Sequence, residues 1–74
     1  MKKMGRYTII IERAGDNYSA YCPDLPGCIA TGSTVEETIH AMREAIKFHI
    51  EGLKKENIAV PEPSSQAAYI EVGP

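Results

Sequence analysis

Few side chains in this sequence have the chemistry of a catalyst, and their spacing does not bring them together. Cys22 and Cys28 are the candidate nucleophiles, and His40 and His49 the candidate bases. The C-x5-C spacing followed by two distant histidines matches no familiar zinc pattern. His49 falls on the apolar stripe of a helix, where a partly buried imidazole is the ordinary outcome. His40 lies one turn from Glu36 and Glu37, as a solvated neighbour of acids. There is no nucleophile elbow, phosphate-cradling glycine loop or paired-histidine metal motif. The expectation is a protein that is not an enzyme and uses neither metal nor cofactor.

The acids are more telling. Between Arg13 and Arg43 there is no Lys or Arg, while Asp16, Asp24, Glu36 and Glu37 all occur there. From Glu56 onward only acids appear, at Glu56, Glu62 and Glu71. A surface so biased attracts a basic partner, although it also serves simply to keep a small protein soluble. Eight Lys and Arg against ten Asp and Glu give a net charge of −2, which speaks against direct DNA binding through a basic face.

Asp24 stands in the stiffest stretch of the chain, Cys22-Pro-Asp-Leu-Pro-Gly-Cys28. Prolines bracket Asp24 and Leu25, and Gly27 supplies the positive φ of a sharp reversal. Two readings stand side by side: a turn locked for stability alone, or a turn that presents Asp24 and an exposed Leu25 to a partner at reduced ordering cost.

The elements that position these residues follow from periodicity. Seventy-four residues make one domain, 1–74, small enough to gain stability by self-association or partner binding. No stretch approaches a membrane span or a signal peptide, so a cytoplasmic location is expected. Tyr7–Arg13 is a strand, and Ala14-Gly15-Asp16-Asn17 reverses it into Tyr18–Cys22. A third strand covers Cys28–Thr31. Ser33 and Thr34, with Glu36 and Glu37 three residues on, open a helix through a capping box. Its stripe runs through Val35, Ile39, Met42, Ile46, His49 and Leu53, widened by Ala41, Ala45 and Phe48. Lys47–Glu51 and Glu51–Lys55 are spaced as ion pairs. Asn57, Pro61 and Pro63 end the helix, and Ala68–Val72 alternates as a fourth strand. The fold class is α+β: a β-β-β-α-β two-layer sandwich with an antiparallel sheet and one helix. Ile10 has the opposite parity from Ile9 and Ile11, so the first strand is apolar on both faces. A homodimer or higher homo-oligomer is therefore expected.

The ordered features Tyr18-x-Ala20-x-x-Pro23-Asp24-Leu25-Pro26-Gly27-Cys28, Gly32-x-Thr34-x-Glu36-Glu37, Glu44-Ala45-Ile46 and Pro61-x-Pro63 resemble the HicB-type antitoxin family, over roughly residues 7–65. The resemblance implies a fold like part of a double-stranded-RNA-binding domain. It also implies a partner, HicA, a small basic toxin that cleaves messenger RNA and whose active site the antitoxin covers. Asp24 and Leu25 would then face the toxin, with Asp24 as a rigid substrate mimic and Glu36 and Glu37 adding attraction. Many HicB proteins carry a further DNA-binding segment. This chain stops at Pro74, so it resembles the short single-domain members, and no direct operator binding is expected. The alternative is a stand-alone oligomeric regulatory or RNA-associated interaction domain without a cognate toxin.

Overall fold

The computed structural model describes residues 5–74, in the order β1 (Ile10–Ala14), β2 (Asn17–Tyr21), β3 (Ile29–Gly32) and α1 (Val35–Lys55). The strands form one antiparallel meander with β2 in the centre. The hairpin closes on the pair Ala14↔Asn17, with Gly15 at φ +65 in the first central position. A positive φ there matches the right-handed twist of the flanking strands, which is why glycine and not a β-former stands at this corner.

Side chains alternate cleanly across the sheet. The register stacks Ile11, Ala20 and Ala30 on the face under the helix, where Ala20 is buried and the other two pack against the core. On the opposite face the register aligns Ile10, Tyr21 and Ile29 in one cross-strand row, with Tyr21 and Ile29 exposed. The parity difference among the three isoleucines is therefore real.

The helix begins where the capping signal places it. Thr34 is extended and its side chain accepts the Glu37 amide at 3.0 Å. Glu37 returns the favour one residue further back than in a standard box, accepting the Ser33 amide at 3.2 Å and the Ser33 hydroxyl. Those bonds hold the Glu37 carboxyl below its ordinary pKa, the hydroxyl contributing most. At the other end Asn57 takes φ +58, and the amides of Asn57 and Ile58 bond to the carbonyls of Lys54 and Leu53. This is a Schellman closure with asparagine in the left-handed position.

Four expectations need correction. β1 begins at Ile10, although Tyr7 and Ile9 still pack against the core. The helix buries most of the expected stripe, with Met42 in the core, Ala45 and Ile46 packed on it and Ile39, Ala41, His49 and Leu53 half-buried. Its face is turned slightly toward Thr38, which is fully buried, and Ile50, which leaves Val35 and Phe48 exposed. The rotation follows from the tight approach of the helix to Gly32, which puts Thr38 directly against β3. The exposed ion pair of the helix is Lys47–Glu44 at 3.8 Å rather than either expected i,i+4 pair. Residues 68–72 form no strand; Tyr69, Ile70 and Val72 stand in solvent. Alternation makes a segment competent for pairing, but a strand exists only where an edge receives it. No helix of the described residues is long and apolar enough to cross a membrane.

Candidate functional site

The loop between β2 and β3 is two consecutive β-turns. Leu25 donates its amide to the Cys22 carbonyl at 3.1 Å, and Cys28 donates to the Leu25 carbonyl at 3.1 Å. The second turn has Pro26 then Gly27 at φ +83, the type II arrangement in which proline presets one corner and glycine takes the next. Cys22 closes the loop by donating to the Cys28 carbonyl at 3.2 Å. The junction of the two turns points inward. Leu25 is 0% exposed and joins Ala20, Cys22, Cys28 and Met42 in the core. The expectation of an exposed Leu25 is thus overturned: two rigid turns back to back drive the residue between them beneath the helix.

Asp24, one residue earlier, faces a different part of the chain. Its Oδ2 accepts the amides of Ser64 and Ser65, each at 3.0 Å, and its Oδ1 accepts their hydroxyls at 3.1 and 2.9 Å. A carboxylate has about four acceptor positions, so this one is fully engaged. The Ser65 amide is the foremost of the bonds that hold its pKa below the ordinary carboxylate value. Two further contacts flank the clamp: the Tyr7 hydroxyl donates to the Pro61 carbonyl at 2.6 Å, and the Thr8 hydroxyl to the Ser65 carbonyl at 3.0 Å. Burial, then the acidic groups of Cys22, Glu62 and Asp24, raises the Tyr7 phenol above its ordinary pKa. The clamp spans forty residues of sequence, and no local signal marks Ser64 or Ser65 as its partners.

The sign of the Asp24 shift sets a pH dependence. A carboxyl whose folded pKa is depressed contributes in full above its unfolded value, about 4, and loses that contribution as pH falls through the lower folded value. The Ser64 and Ser65 amide resonances should therefore move together only below pH ~4. Asp24→Asn should abolish that titration. A midpoint for both amides at or above the ordinary aspartate value would contradict the clamp.

The four residues expected to contact a partner do not form one patch. Asp24 and Leu25 lie at the end of the sheet where Tyr21 pairs with Ile29. Glu36 and Glu37 lie beyond Gly32, at the end where β2 begins. The length of β3 separates them, roughly 15 Å at the usual strand rise. Asp16 in the hairpin turn is a closer companion of the helix start, because Ala14↔Asn17 and Tyr18↔Gly32 place both at that end. Glu36 is exposed, whereas Glu37 is tied to the cap. The sheet end built from Asp16, Glu36 and Glu37 is the candidate partner-binding site, carrying negative charge on rigid elements.

The cysteines lie in the core. Both are buried free thiols, and burial followed by the charge of Cys22 pushes the Cys28 thiol up. A raised pKa keeps that sulfur neutral at physiological pH, the opposite of an activated nucleophile. Among the described residues, no three His, Cys, Asp or Glu side chains are grouped to hold a metal ion.

Comparison with known proteins gives this geometry a context. Residues 7–72 match the model of the HicB-like antitoxins of bacterial toxin–antitoxin systems. An uncharacterized 14.9 kDa protein from the rep–hol intergenic region of Haemophilus phage HP1 is 39% identical over 64 residues, covering 86% of this chain and 48% of the phage protein. The chain thus spans about half the length of that relative. A UPF0150 protein of Synechocystis is 42% identical over 62 residues, covering 82% of this chain and 78% of its own. Among solved structures, a chain of the HicA3–HicB3 toxin–antitoxin complex superposes with a TM-score of 0.71 at 32% identity, covering 81% of this chain and 70% of that one.

Proposed function

The chain belongs to the HicB-like antitoxins of bacterial toxin–antitoxin systems, and on that premise we propose that it neutralises a HicA-like toxin by binding it, without chemistry of its own, in the cytoplasm. The observation that carries the reading is the superposition on a chain of the HicA3–HicB3 complex. The acidic sheet end supports it. A ribonuclease must offer cationic and hydrogen-bond-donating groups to a phosphate, and those groups also attract carboxylates held on a rigid surface.

In this reading Glu36 and Asp16 supply attraction directly, and Glu37 adds charge while holding the helix start. Asp24 and Leu25 act one step back. Leu25 fixes the β2–β3 loop in the core, and Asp24 fixes the segment around Ser64 and Ser65 beside it. Direct contact of Asp24 with a toxin would require release of that segment.

Titration calorimetry with a purified HicA-like protein encoded beside this chain, with a messenger-RNA protection assay in parallel, tests the proposal. We expect a stoichiometric complex that protects the RNA. Changing both Asp16 and Glu36 to Lys should weaken it about tenfold or more at low salt, ~1.4 kcal/mol or more for the two reversed charges together, and the loss should shrink as salt rises. Failure to bind or protect would overturn the antitoxin reading in favour of a stand-alone interaction domain. Undiminished affinity of the double variant would move the interface away from this sheet end.

A further inference from the structure

The sheet carries more open edge than its size can leave unprotected, and the segment after the clamp carries more apolar surface than a solvated tail needs. The helix packs on β3 and, less closely, on β2, leaving β1 at the margin with no strand beyond it among the described residues. Ile9 and Ile11 are only half-buried beneath that margin, and Ile10 is half-buried on the other face. Gln66 and Ala67 still line a cleft with Arg6, Tyr7 and Thr8, and beyond them the chain stands in solvent. Tyr69 is 96% exposed, Ile70 83% and Val72 88%. The radius of gyration is 14.1 Å, with a longest dimension of 49 Å, where a compact chain of this length has about 11 Å.

We propose that Ala68–Val72 is a strand-donating arm that adds to the β1 edge of a second copy of this chain, the two copies exchanging arms about a two-fold axis. The alternation suits that edge on both faces. Ala68, Ile70 and Val72 share one parity and complete the half-covered apolar surface beside Ile9 and Ile11. Tyr69 has the other parity and lies with Ile10 and Tyr21 on the outer face. An antiparallel register that sets Tyr69 opposite Ile10 sets Glu71 opposite Thr8, whereas a parallel one opposes Glu71 to Glu12, a like-charge pair that disfavours it.

Reciprocity supplies the area. Two arms bury two isoleucines and two valines, the apolar margins that receive them and one edge of each tyrosine ring, so exchange doubles what a single arm covers, toward the ~1,200–2,000 Å² of a stable interface. A two-fold exchange also closes, so it yields a dimer and no open fibre. The Asp24 clamp acts here as a positioning contact: it fixes the chain up to Ser65, so the arm leaves in one direction and its ordering cost falls.

Sedimentation equilibrium and hydrogen exchange on the full chain test this. The wild type should be a dimer in which the amides of 68–72 and of β1 gain protection together as concentration rises. The Ile70→Asp variant should be a monomer with an unchanged circular-dichroism spectrum and free exchange at 68–72. A monomeric wild type would overturn the proposal, and so would an Ile70→Asp dimer. Concentration-independent protection of 68–72 would place the arm on its own sheet instead, and protection gained only on adding a HicA-like toxin would make the toxin the acceptor. Either result rejects the exchange while leaving the antitoxin reading intact.

Discussion

Leu25→Ala lowers the melting midpoint by roughly 10–30 °C, the largest loss expected from a single truncation in this chain. Leu25 is 0% exposed, and its side chain fills the space between the β2–β3 loop and the helix. Removing three carbons from such a site costs about 2–5 kcal/mol, because the two proline-braced turns around it cannot collapse into the cavity. A chain of this size has a total stability of only ~4–11 kcal/mol, and each kcal/mol moves the midpoint by about 4–8 °C. Leu25→Met, which nearly preserves volume, should cost less than ~1.5 kcal/mol. Thermal melts of both variants check the assignment. If Leu25→Ala melted within a few degrees of wild type, while losing affinity for a toxin, Leu25 would be a presented contact and not a core residue.

Pro-Asp-Leu-Pro-Gly correctly announces rigid turns, because the preset φ of proline and the freedom of glycine are local properties. Which way the residue between two turns points is decided by the helix that arrives later in the chain, and no local rule supplies it. Thr34 and Glu37 were legible for the same reason that the turns were: capping is an affair of a few consecutive residues, and the structure moves the returning bond only from Thr34 to Ser33. The stripe was legible in period and, but for its margins, in phase: Ile39, Ala41, Met42, Ala45, Ile46, His49 and Leu53 all turn inward, whereas Val35 and Phe48 do not. Val35 and Phe48 are as apolar as Ile46, and the rotation that favours Thr38 and Ile50 comes from contact with β3. Asp24 was singled out by its setting, yet its partners lie forty residues away. The alternation at 68–72 was visible, but pairing is a matter of tertiary placement, and in the structure the open edge of β1 does not receive this segment.

Gly32 joins the helix to the sheet, and its substitution is the second large effect. A Cβ built at this position would lie 2.6 Å from the Thr38 hydroxyl, 2.7 Å from the Thr38 amide nitrogen and 3.0 Å from its Cα. The first two are closer than nonbonded carbon contacts allow and the third is tighter than nearly all of them, and two of the atoms belong to the backbone of the helix, so no rotamer change relieves them. The requirement is one of space. At Gly15 the reverse holds: φ is +65 and nothing lies within 4 Å of a Cβ, so conformation alone selects glycine there. Gly32→Ala must therefore lift the first turn of the helix away from β3, disturbing Thr38 in its buried seat and the Thr34 cap through the bond from the Thr38 hydroxyl to the Thr34 carbonyl at 2.7 Å. Overpacking of this kind costs about 1–3 kcal/mol, occasionally more, and Gly32→Val should cost more than Gly32→Ala. Adding Thr38→Ala to Gly32→Ala separates side chain from backbone as the source of the clash. It removes the hydroxyl but leaves the amide nitrogen in place, so at most part of the stability returns in a urea titration. Full recovery would mean that only a hydroxyl stands over Gly32, and that the helix start is not seated on the strand as closely as these distances require.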